Sequence, residues 1–70
     1  MGMDDVQARL ASNLQKLRRA KGLSQEAFAH EAKIHRTYVS DLERGARNPS
    51  IKLVDRLARA LGVKLGDLLD

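Results

Sequence analysis

The stretch SQEAFAHEAKIHRTYVSDLERG, Ser24 to Gly45, contains two short apolar rhythms of helical spacing with only Lys33, Ile34 and His35 between them. In the second, a helix numbered from Arg36 and advancing ~100° per residue puts Val39 near ~300° and Leu42 near ~240°, together on one side, the core side. Arg36, Thr37, Ser40, Asp41 and Arg44 fall in an arc from roughly 0° to 140°, so the hydrogen-bonding side chains of the outer face all project one way. A polar outer face is also what any short surface helix carries, so the neighbouring segments have to decide whether this one meets a partner.

Upstream, Val6, Leu10, Leu14 and Leu17 recur at helical spacing and predict a first helix over Asp5 to Lys21, with Asp4 as its N-cap candidate and Gln7 at the capping-box position. Lys16, Arg18, Arg19 and Lys21 occupy its last turns, where cations complement the dipole, and Gly22 supplies the stop. Ser24 then caps a second helix, Gln25 to Ala32, with Ala27, Phe28 and Ala32 inward. The third begins at Arg36 and ends before Gly45. After the loop GARNPS, Ser50 caps a fourth that runs to Leu61 and buries Leu53, Val54, Leu57, Ala58 and Leu61, and Gly62 ends it. A last amphipathic piece, Val63 to Leu69, brings Leu65, Leu68 and Leu69 together. Met1 to Met3 are set aside as a candidate cloning remnant.

Seventy residues hold one small domain and one core, close to the lower limit for folding without a staple. There is no cysteine, so neither a disulfide framework nor thiolate metal ligands can supply that staple, and a reducing cytoplasm suits the chain. Aromatics make up only 3% while Leu, Ala and Val dominate, a composition for packed helices and against strands. The net charge of +4 favours a polyanionic partner. No apolar run approaches the roughly 18 residues of a membrane span, and the acidic MGMDDV start lacks the basic region of a signal peptide, so a cytoplasmic protein is expected.

Two short helices across a tight turn, the second with a polar outer face, form a helix-turn-helix over about residues 24–44, in which the second helix enters the DNA major groove. Here the sequence resembles the phage-repressor and Cro-like helix-turn-helix family. GLSQEAFAHEA, KIHRTYVSDLERG and RNPSIKLVDRLARALGV follow its pattern almost without gaps, and HRTYVSDLERGARNPS is most similar to the controller proteins of restriction-modification systems. The resemblance implies an all-α, compact five-helix domain of the lambda-repressor type spanning residues 1–70, with Gln25, Arg36, Thr37, Ser40 and Asp41 facing DNA. It also implies a pair, Arg18 and Glu43, bridging the first and third helices, and two-fold dimers.

Side-chain chemistry agrees with those positions. Arg36 has the planar fork for guanine O6 and N7; Thr37 offers a hydroxyl to phosphate or a methyl to thymine; Ser40 is short enough to let the helix approach base edges. Asp41 is repelled by phosphate, so it either accepts from cytosine N4 or is held by Arg36 or Arg44, and the second is favoured. Gln25, Arg44, Arg47, Asn48 and Lys52 are candidates for phosphate, Gln25 through the main-chain N–H at its helix start. Tyr38 sits at the border of core and surface, where packing is favoured over base stacking.

Two positions depart from the family pattern. Lys33 stands where Gly is usual, so a left-handed conformation there costs roughly 1 kcal/mol, and His35 replaces a Ser or Thr cap. Both are expected to loosen the turn. His30 and His35 are five apart across a helix break, unlike the i, i+4 pair of a zinc helix. No nucleophile elbow, phosphate-binding glycine loop or pair of catalytic acids occurs, and nothing points to a cofactor, a metal or a small-molecule effector. The reading is therefore a non-enzymatic, sequence-specific transcriptional regulator that binds a double-stranded operator as a homodimer through Val63, Leu65, Leu68 and Leu69. Its rivals are an antitoxin-type autorepressor and a protein-interaction module of the same fold that does not bind DNA.

Overall fold

The structure, a computed structural model, describes residues 5–70, which form five helices and no strand. They are α1 (Asp5–Ala20), α2 (Gln25–Ala32), α3 (Arg36–Glu43), α4 (Ile51–Leu61) and α5 (Leu65–Leu69). Asp4, the expected cap of α1, lies outside the described residues.

Four of these helices end in the same way. In α1 the Leu23 N–H reaches back to the Arg18 carbonyl at 3.1 Å and the Gly22 N–H to Arg19 at 2.9 Å, closing the last turn and stopping α1 at Ala20. Gly45 after α3 and Gly62 after α4 take the equivalent left-handed position, at φ 71° in both. After α2 that position is Lys33, at φ 60° and ψ 44°, the one non-glycine residue with positive φ among those described. Its bonds are nonetheless made: Ile34 N–H to Ala29 at 3.0 Å and Lys33 N–H to His30 at 3.2 Å. His35 is an effective cap as well, its Nδ1 accepting the Thr37 N–H at 3.2 Å. The substitutions at 33 and 35 therefore leave a closed turn, and the strain is confined to Lys33.

Leu14, Phe28, Val39, Leu42, Leu57 and Leu68 are the largest fully buried side chains, drawn from all five helices. Phe28 on α2 and Val39 on α3 are both 0% exposed, which fixes the angle between the two helices of the motif through the core. The short α5 is also held by polar contacts from α1: Asn13 Nδ2 donates to the Leu68 carbonyl at 3.1 Å and Arg9 Nε to that of Leu69 at 3.0 Å. These bonds satisfy carbonyls that a helix end leaves open.

The C-terminal piece corrects the sequence reading at two points. Helix starts at Leu65, not Val63, because the Lys64 N–H donates to Asp67 Oδ2 at 3.0 Å and caps the turn there. Leu68 is 0% exposed and belongs to the core of its own chain, so it has no surface to give a second protomer. Val63, Leu65 and Leu69 are half-buried against the same core.

Candidate nucleic-acid interface

α3 is pinned from inside by more than apolar packing. Val39 and Leu42 point into the core, and one turn on, Glu43 receives Arg18 of α1 through two bonds, Nε to Oε2 at 2.6 Å and Nη2 to Oε1 at 3.0 Å. Gln25 Nε2 of α2 adds a third at 3.1 Å, and Arg18 Nη1 donates to the Leu23 carbonyl at 2.8 Å. Glu43 thus ties three helices at one point. The side chains of Arg18 and Glu43 are 9% and 2% exposed. The hydrogen bonds to Glu43 raise the Arg18 pKa above its ordinary value, against the opposing pull of burial, so the guanidinium stays charged.

The outer face carries the predicted readers. Arg36 and Thr37 are exposed at the start of α3, and no acidic side chain of the described residues pairs with Arg36. Ser40 is half-buried a turn later. Asp41 is held by arginines, as favoured, but one of them differs from the expected pair: Arg44 bonds Oδ1, and Arg47 Nε, from the loop, bonds Oδ2 at 3.2 Å, while Arg36 takes no part. The Arg47 hydrogen bond first, and Arg44 with it, hold the Asp41 carboxyl below its usual pKa, so it is ionised at neutral pH.

The flanks fall around this face in sequence order. Arg44, Arg47 and Asn48 are exposed on the loop after α3, and Lys52 is exposed in the first turn of α4, which Ser50 Oγ caps by accepting the Leu53 N–H at 3.1 Å. The Gln25 side chain is turned to Glu43, which leaves its main-chain N–H, at the start of α2, as the group for an anion. Tyr38 packs against the core, and the Arg47 guanidinium lies 4.5 Å from its ring centroid.

A helix-turn-helix family model matches residues 14–68, most of the chain. The chain belongs to the helix-turn-helix family. This helix-turn-helix protein is 40% identical over 67 residues to the control protein C.MunI from Mycoplasma sp, covering 94% of this chain and 90% of that one. It is 52% identical to the control protein C.BamHI of Bacillus amyloliquefaciens over 48 residues, 69% of this chain and 59% of the relative. Among solved structures, a hypothetical transcription factor from Neisseria superposes with a TM-score of 0.92 at 41% identity, over 94% of this chain and 76% of the other. The restriction-modification controller protein C.AhdI from Aeromonas hydrophila gives 0.85 at 40% identity, over 89% and 94%.

Sequence reasoning missed the polar residues that brace the helix-turn-helix protein from outside the motif. Gln7 Nε2 of α1 donates to the carbonyls of Arg47 at 3.0 Å and Gly45 at 3.3 Å, and Lys21 Nζ to that of Leu61 at 3.2 Å. No local signal identifies such contacts, because their acceptors are main-chain atoms about forty residues away in sequence. Among the described residues no helix is long and apolar enough to cross a membrane, and no cluster of three metal-ligating side chains occurs.

Proposed function

We propose that this helix-turn-helix regulator of transcription reads its operator in the major groove as a two-fold dimer in the cytoplasm, without catalysing a reaction. One observation carries the reading: an exposed Arg36, with no acidic partner among the described residues, opens the outer face of a helix whose inner face is locked to the core by Val39, Leu42 and Glu43. A rigid element with a free planar donor at its N-terminal end is what base readout requires. Arg36 then takes a guanine edge, with Thr37 and Ser40 beside it, while the Gln25 main chain, Arg44, Arg47, Asn48 and Lys52 hold phosphates. Two control proteins and a restriction-modification controller among the relatives support control of a restriction-modification system as the subtype.

The dimer follows from size and symmetry. One eight-residue helix spans too few base pairs for high specificity, and a two-fold pair doubles the contacts at half-sites about 10 bp apart. Val63, Leu65 and Leu69, without Leu68, supply the apolar surface. Sedimentation tests this: Leu65→Asp with Leu69→Asp, shown by circular dichroism to keep its helices, should give monomers that hold one half-site weakly and with a shallower salt dependence. An unmodified chain that sediments as a monomer both alone and on DNA refutes the dimer.

A further inference from the structure

Asp41 is a misfit on a surface meant for DNA. An unpaired carboxylate near phosphates is repelled, yet its side chain is only 17% exposed and both oxygens are occupied, Oδ1 by Arg44 and Oδ2 by Arg47. The Asp41 carbonyl also accepts the Ala46 N–H at 2.8 Å, so main chain and side chain together fold the loop back onto α3. Arg47 is held at two further points, the Tyr38 ring under its guanidinium and Gln7 Nε2 on its carbonyl at 3.0 Å, and Gln7 Nε2 also donates to the Gly45 carbonyl of the same loop at 3.3 Å.

Neither guanidinium is used up by this arrangement. Each has five N–H donors and spends one on Asp41, and the side chains of Arg44 and Arg47 stay 64% and 49% exposed. A cytosine amino group would compete with these arginines for the Asp41 oxygens; as a brace Asp41 keeps both of them. We propose that Asp41 is a positioning residue that, with Gln7 and Tyr38, holds Arg44 and Arg47 as a preset pair of phosphate donors beside the reading helix, and does not itself read a base. The rotamer freedom that a loose arginine surrenders on binding has here been surrendered on folding, so contacts form at lower entropic cost. The inference rests on the DNA-binding reading given above.

The test compares the unmodified chain with Asp41→Asn, Arg47→Ala and the double variant. Asn keeps the shape and one acceptor but loses the charge. Tyr38 is the only tyrosine and there is no tryptophan, so intrinsic fluorescence without DNA reports what lies over its ring; Asp41→Asn should shift it in the same direction as Arg47→Ala. Binding is then measured on a duplex recovered from a random pool and on a scrambled duplex of equal length. Asp41→Asn should weaken both about 10-fold, the scale of one charge-assisted hydrogen bond. It should also flatten the plot of log K against log salt by about 1, with base preferences kept and with Asp41→Asn costing less in the Arg47→Ala background, where only Arg44 is left to release, than in the unmodified chain. Tighter binding, a preference relaxed at a single base pair, or an unmoved Tyr38 signal overturns the proposal. If the unmodified chain binds neither duplex, the DNA-binding reading fails by itself, and the Tyr38 comparison still decides whether Asp41 positions Arg47.

Discussion

Asp41 and Glu43 are two carboxylates on one short helix, two residues and roughly 200° apart, and each is bonded to arginine on both of its oxygens. Their surroundings separate them. Glu43 and its partner Arg18 lie inside, with side chains 2% and 9% exposed, whereas the arginines on Asp41 are more than 45% exposed. Inside, neither charge has water to fall back on, so removing one partner leaves the other buried and uncompensated. Outside, water replaces a lost partner, and the arginines keep donors for another molecule. The same chemistry thus anchors α3 on one side and equips it on the other, with burial as the deciding variable.

The largest test of that contrast is Glu43→Ala, which leaves the Arg18 guanidinium buried and unpaired. It should cost about 3–5 kcal/mol in denaturant unfolding, comparable with the whole stability of a domain this size, so about half of the molecules should be unfolded at room temperature. Replacing Arg18 and Glu43 together with Met and Leu should restore most of that loss, since a buried pair is worth little more than well-packed apolar residues. A Glu43→Ala protein with unchanged unfolding would put both carboxylates in the same class. Next in size is Arg36→Ala on the outer face, expected to lose about 1–3 kcal/mol of affinity for the preferred site and to relax choice at one base pair, with folding unaffected. Equal weakening on every sequence would move Arg36 to the phosphate group.

Smaller effects lie at the turn and on Asp41. Lys33→Gly removes the left-handed strain and should raise stability by about 1 kcal/mol, read as a higher unfolding midpoint. A lowered midpoint would mean that the Lys33 side chain contributes more than its backbone costs. Asp41→Ala should change unfolding by less than about 1 kcal/mol, the range of exposed ion pairs. A loss as large as that of Glu43→Ala would erase the distinction between the two faces.

Local chemistry explains why so much of the fold can be read from the chain. Ser24 and Ser50 accept N–H groups as caps, Gly22, Gly45 and Gly62 take the left-handed stops, and Val39 and Leu42 face inward, all from spacing and residue type. Reading fails where two faces of equal polarity or apolarity compete. Periodicity groups Leu65, Leu68 and Leu69, but only packing against α1 and α4 settles that Leu68 turns inward. The neighbouring sequence offers Arg36 or Arg44 to Asp41, of which only Arg44 is at helical spacing, yet the loop also returns Arg47, six residues on, because Gln7 and the Ala46 N–H draw it back. The Arg18 and Glu43 pair is invisible to spacing at 25 residues' separation and came from resemblance.

Sequence-specific reading by a two-fold pair of α3 helices is tested by one measurement, selection of bound duplexes from a random pool by the unmodified chain. The recovered sites should carry inverted half-sites with centres about 10 bp apart and bind ~10³-fold or more tighter than unselected duplex. A recovered pool with no common sequence, bound no better than the starting one, would contradict it.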